Sequence, residues 1–92
     1  MTQINVTDQA RNEIQRILPD NNAQFVRIIF QGAGWHGINF GITLDGLEEE
    51  DEKVTANGID IIFNRHFQSF VNDCDVDYFD NGPKKGFSVS RR

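Results

Sequence analysis

Gly32-Ala33-Gly34-Trp35-His36-Gly37-Ile38-Asn39-Phe40-Gly41-Ile42-Thr43-Leu44 reads in two incompatible ways. Its first six residues match G-x-G-x-x-G, the glycine pattern of a dinucleotide site, in which the third glycine opens a helix whose N-terminus receives a pyrophosphate. The residues after Gly37 decide against that reading. Ile38, Phe40, Ile42 and Leu44 alternate with period two and share one face of a strand, whereas a helix begun at Ile38 would put Gly41 and Asp45 on its apolar face. A chain of 92 residues is also short for a dinucleotide domain. The stretch is a glycine-rich hairpin joining two strands, and the chemistry has to be sought elsewhere.

Upstream of the hairpin, Phe25 to Phe30 is a β-branched and aromatic run with Arg27 inside it, buried on one face and partly on the other. Further back, Ile4-Asn5-Val6 alternates as a short strand. Thr7 is an N-cap, and Asp8 stands in the first turn, where the helix dipole favours negative charge. Ala10, Ile14, Ile17 and Leu18 fall at helical spacing on one face, expected to be buried, and Pro19 with Asp20-Asn21-Asn22 stops the helix. Burial is likewise expected for Ile38, Phe40, Ile42 and Leu44. Downstream comes an acidic run, then Val54 and an Asn57-Gly58 pair that matches a type I′ turn. Ile59 to Phe63 returns as a strand. Asn64 caps a short helix with Phe67, Phe70 and Val71 on one side. Val76 and Tyr78 alternate again, Asn81-Gly82-Pro83 turns the chain, and Phe87-Ser88-Val89 is a last strand. The fold class is α+β and β-rich, in one domain over residues 1–92.

Charge adds little to this. The net charge is −5, but Glu48-Glu49-Glu50-Asp51-Glu52 supplies five of the 14 acidic residues, and the remainder balances the nine basic ones. Lys84, Lys85, Arg91 and Arg92 make no phosphate-tracking groove, so nucleic acid is not an expected partner. No apolar run approaches the ~20 residues that span a bilayer, and Met1-Thr2-Gln3-Ile4-Asn5 lacks the basic start of a signal peptide. A cytoplasmic protein without membrane contact is the expectation.

Candidate chemical groups are few. Asp73-Cys74-Asp75-Val76-Asp77 starts like a calcium loop, but its sixth position is Tyr78 instead of glycine and its twelfth is Lys84 instead of glutamate. On a strand the three aspartates simply share the solvent face. Cys74, the one cysteine, is then a buried apolar filler. His36 and His66 show no metal-ligand spacing. The residues therefore assign no catalytic group, no metal ligand and no cofactor. Trp35 at the hairpin tip is left with two readings: it folds back over its own sheet, or it faces a partner.

The order of elements resembles the HesB-like family, the A-type carriers of iron–sulfur cluster assembly. The resemblance runs from Ile4-x-Val6-Thr7-Asp8-x-Ala10 through Val26-Arg27-Ile28 to Gly34-Trp35-His36-Gly37. It continues through Asn57-Gly58-Ile59, the short helix around Phe67, Val76-Asp77-Tyr78 and Gly86-Phe87. It implies mixed sheets, one N-terminal helix and one short second helix. Family carriers hold a cysteine in a G-C-x-G loop and two more in a C-terminal C-x-C segment. Here Trp35 occupies the loop position and no C-x-C follows Gly86-Phe87. Clusters are held by thiolates, and an indole offers only an N–H donor. The resemblance thus implies a degenerate carrier-family protein: a non-enzymatic accessory or interaction module of iron–sulfur or sulfur metabolism, binding no cofactor of its own. Its partner is a second copy or a protein of iron–sulfur assembly, met through Gly34, Trp35, His36 and Gly37. The alternative is a redox or transfer protein. A shorter branch of the family lacks the C-terminal cysteines, and some of its members carry selenocysteine in the glycine loop. The selenocysteine codon UGA differs from the tryptophan codon UGG by one base, so native residue 35 would then be selenocysteine. A third reading, a small-molecule enzyme using His36 or Cys74, needs a pocket that joins those residues.

Overall fold

The computed structural model describes residues 3–34, 37–82 and 84–91, with side chains outside 31–40, 84 and 91. Strand β1 (Ile4–Val6) leads into helix α1 (Asp8–Asp20), followed by β2 (Phe25–Gly34), β3 (Gly37–Asp45), β4 (Asp51–Ala56) and β5 (Ile59–Asn64). A 3₁₀ turn (Arg65–Phe67) runs into the short α2 (Gln68–Val71), and β6 (Cys74–Asn81) and β7 (Lys84–Arg91) complete the order.

Thr7 starts α1 as expected. Its extended backbone leaves Oγ1 free to accept the Ala10 N–H at 3.1 Å, and the hydroxyl donates to Asp77 Oδ1 at 2.8 Å. One side chain thus satisfies a helix-end donor and ties the helix to β6. Pro19 does not stop the helix; it lies inside the last turn, where a proline forfeits one hydrogen bond. The stop is a Schellman closure. Asn22 takes a left-handed φ of 52° and donates to Pro19 O at 3.2 Å, while Ala23 N–H reaches Leu18 O at 2.9 Å.

The strands form a continuous ladder in the order β1-β6-β7-β3-β2-β5-β4. It divides into two mixed halves, which are the mixed sheets expected from the sequence. In one, β1 runs parallel to β6 and β6 antiparallel to β7; in the other, β2 runs parallel to β5, with β3 and β4 antiparallel on the outside. The halves meet between β3 and β7, where Phe40 pairs with Val89. The β4–β5 connection is the type I′ turn, with φ of 51° at Asn57 and 78° at Gly58.

The core lies under α1. Ala10 and Ile14 are fully buried against Val26, Ile59, Ile61, Phe63, Val71, Cys74 and Val76. Expectations for the flanking positions need correction. Leu18, Ile42 and Leu44 are half-buried and pack against this core, and Ile17 is half-buried. Helix α1 packs chiefly on β6 and, to a lesser extent, on β5. The Ile38 and Phe40 side chains lie outside the described residues. The second helix also differs from its expected form. Asn64 accepts the His66 N–H at 2.9 Å as a cap, but only Val71 is buried, and Phe67 and Phe70 are exposed.

Candidate functional site

The glycine segment is the tip of the β2–β3 hairpin. Val26↔Leu44 to Phe30↔Phe40 pair in register, a bulge intervenes between Phe30 and Gly32, and Gly34↔Gly37 is the last pair. Strand follows Gly37 directly, so the glycines open no helix and hold no pyrophosphate cradle. Gly34 and Gly37 therefore flank a two-residue connection. Trp35 and His36, the rest of the expected contact loop, lie outside the described residues.

The remaining candidates do not converge. Cys74 begins β6 opposite Ile4, fully buried, with its thiol 3.5 Å from the Phe70 carbonyl oxygen. His66 is exposed and stands 3.5 Å from the Glu50 carboxylate. The three aspartates are engaged separately: Asp73 turns at φ 66°, Asp75 accepts from Asn5 Nδ2 at 3.0 Å, and Asp77 accepts from Thr7 and from its neighbour's Tyr78 N–H at 2.8 Å. They face no common point, which removes the calcium-loop reading. Among the described residues, no three His, Cys, Asp or Glu side chains gather as a metal-ligand set. This donor set does not fit an iron–sulfur cluster.

One cluster was not anticipated. Arg27, read as a charge within an apolar strand, forms a two-pronged pair with Asp51: Nη1 to Oδ1 at 2.7 Å and Nη2 to Oδ2 at 2.6 Å. Nε also donates to Asp45 at 2.9 Å and Nη2 to Gly46 O at 3.0 Å. The Asp51 side chain is 1% exposed and also accepts the Glu48 N–H at 2.7 Å. The acidic run is therefore not one solvated stretch, since its fourth member opens β4 and is locked inside. The guanidinium holds the Asp51 carboxyl below the usual carboxylate range, and Asp51 foremost pushes Arg27 up. The cluster fastens the base of the hairpin to β4. Its groups are mutually saturated, and it offers no reactive atom.

A second unanticipated feature is aromatic. Phe30 shares the parity of the buried Val26 and Ile28, yet it lies past the end of the core and is 48% exposed. Its ring stacks on Phe67 with centroids 6.2 Å apart.

The fold recurs in solved structures. A protein from Aquifex aeolicus shares 24% identity over all of this chain and 94% of its own, at a TM-score of 0.73. Escherichia coli SufA, involved in biosynthesis of iron–sulfur clusters, aligns over 96% of this chain and 79% of its own, with a TM-score of 0.82 and 16% identity. IscA with a [2Fe–2S] cluster aligns over 97% and 85%, with a TM-score of 0.80 and 17% identity. The class is a HesB-like fold. No family model matches the chain. Its curated relatives include the putative iron–sulfur cluster insertion protein ErpA of Nitrosospira multiformis, 27% identical over 90% of this chain and 68% of the relative. The iron–sulfur cluster insertion protein ErpA 2 of Methylococcus capsulatus is 26% identical over 85% and 62%. The chain thus spans about two thirds of the length of these relatives. In fold the chain is similar to SufA and IscA, and in sequence to proteins named for iron–sulfur cluster insertion.

Proposed function

We propose that this chain is a carrier-family protein without cluster ligands of its own, a single HesB-like domain acting as an accessory or interaction module in cytoplasmic iron–sulfur metabolism. It is of carrier type, not an enzyme. One observation carries the reading: within the carrier fold, the one cysteine is packed into the core at Cys74, fully buried. A thiolate there would sit among apolar groups that disfavour its charge, and a whole cluster commonly takes four such ligands. The hairpin tip from Gly34 to Gly37 is the contact surface on this reading, toward a second copy or an assembly protein.

Anaerobic reconstitution with iron and sulfide tests it. The expected result is no stable cluster. Stoichiometric visible absorbance that disappears in Cys74→Ser would overturn the reading and point to a cluster shared between subunits. The second reading keeps a redox or transfer activity with selenocysteine as native residue 35. It is favoured by the place of Trp35, where family carriers hold a cysteine. Codon 35 in the native gene discriminates: UGA supports that reading and UGG ends it.

A further inference from the structure

The exposed Asn57-Gly58 turn does more than reverse the chain. The Asn57 amide reaches back to the start of the fold: Nδ2 donates to Val6 O at 2.9 Å and to Asp8 Oδ1 at 3.0 Å, while Oδ1 accepts from Arg11 Nη1 at 3.2 Å. All three partners belong to the β1–α1 junction, at the opposite end of the strand order from β4. One primary amide therefore joins the two outer edges of the ladder. The partners dictate its orientation, because two acceptors need the NH₂ and one cation needs the oxygen.

The same dipeptide is chemically labile. A backbone nitrogen following asparagine can attack the side-chain amide, and glycine offers the least obstruction. Gly58 puts no side chain beside that nitrogen, and the space where its Cβ would stand is open, with nothing within 4 Å. We propose that Asn57 is a deamidation site, held off while its amide is bound to the β1–α1 junction, and that its conversion releases that junction irreversibly. In the first step the Gly58 nitrogen bonds to Asn57 Cγ and the Cγ–Nδ2 bond breaks; the Gly58 amide proton leaves with the NH₂ as ammonia. Water then adds across one imide C–N bond, its hydroxyl going to carbon and its proton to nitrogen, giving aspartate or isoaspartate. No electrons are gained or lost overall.

The product cannot restore the contact. A carboxylate has no N–H for Val6 O, and it places a second negative charge beside Asp8, with only Arg11 left to face it. Isoaspartate further inserts a methylene into a turn that depends on two consecutive positive φ angles. Asn81-Gly82, the other Asn-Gly pair, lies at the far end of β6 and provides an internal comparison.

The test follows conversion at Asn57 and Asn81 by peptide mapping, with the full chain incubated at mildly alkaline pH, folded and in urea. Breaking two such hydrogen bonds should slow Asn57 about tenfold in the folded protein relative to urea. Asp8→Ala, which removes one acceptor from an exposed position, should speed Asn57 severalfold and leave Asn81 unchanged. Equal Asn57 rates in both states, or no effect of Asp8→Ala, overturns the protection. In Asn57→Asp, hydrogen exchange at the Thr7 and Arg11 amides, bonded to Val76 O and Thr7 O, should accelerate, and in Asn81→Asp it should not. Unchanged exchange in Asn57→Asp overturns the release. If Asn57→Asp fails to fold, the rates in wild type and Asp8→Ala still decide the protection, and exchange in deamidated wild type decides the release.

Discussion

At the scale of single residues, Arg27 and Asp51 set the terms. Their side chains are 12% and 1% exposed, so each charge depends on the other. Arg27→Ala leaves a buried carboxylate without its cation and should cost about 3–5 kcal/mol in urea unfolding. Asp51→Asn keeps the shape but loses the charge, and should cost about 1–3 kcal/mol. The pH dependence has a definite sign. The folded-state pKa of Asp51 is lowered, so its contribution is fully present above the unfolded carboxylate value of roughly 3.9 and is lost as pH falls through the lower folded value. Acid unfolding monitored by circular dichroism should show a flatter low-pH limb in Asp51→Asn than in wild type. An unchanged limb would assign the acid sensitivity to other carboxylates. Arg27 stood out in the sequence as a charge in an apolar strand. Asp51 did not, because its neighbours Glu49, Glu50 and Glu52 are the same kind of residue, and only strand pairing distinguishes it.

At the scale of elements, local patterns foretold what local forces build. Alternation from Ile38 to Leu44 gave β3, Thr7 gave the start of α1, and Asn57-Gly58 gave its turn with both positive φ angles. The patterns failed where tertiary cover decides. Helical spacing put Phe67 and Phe70 beside Val71, but only Val71 reaches the core. Thr7 shows how an element's end serves the whole. Thr7→Ala removes both the cap to Ala10 and the bond to Asp77, and should lower stability by about 1–2 kcal/mol, read from the urea midpoint. Thr7→Ser keeps the hydroxyl and should recover most of the loss. A Thr7→Ala midpoint equal to wild type would mean that neither bond contributes.

At the scale of the whole molecule, the sequence made the site legible only as a loop, Gly34 to Gly37, since what a hairpin tip meets is not written in its own residues. Self-association through that loop predicts that emission from Trp35, the one tryptophan, shifts to the blue as concentration rises, and that Trp35→Ala associates less. A blue maximum at every dilution, with Trp35→Ala less stable but equally associated, would sink the contact and leave packing as the explanation. The parallel pairing of β1 with β6 bears on synthesis as well. Asn5 and its partner Asp75 are 70 residues apart, an interval of roughly 4–14 s at 5–20 residues per second. For that time the nascent chain carries a strand with no ladder to join and a helix whose Ala10–Ile14 face has no β6 to cover it. A chaperone acting at the ribosome would find the Ala10–Ile14 face uncovered over that interval, and would have to release it for β6 to pair.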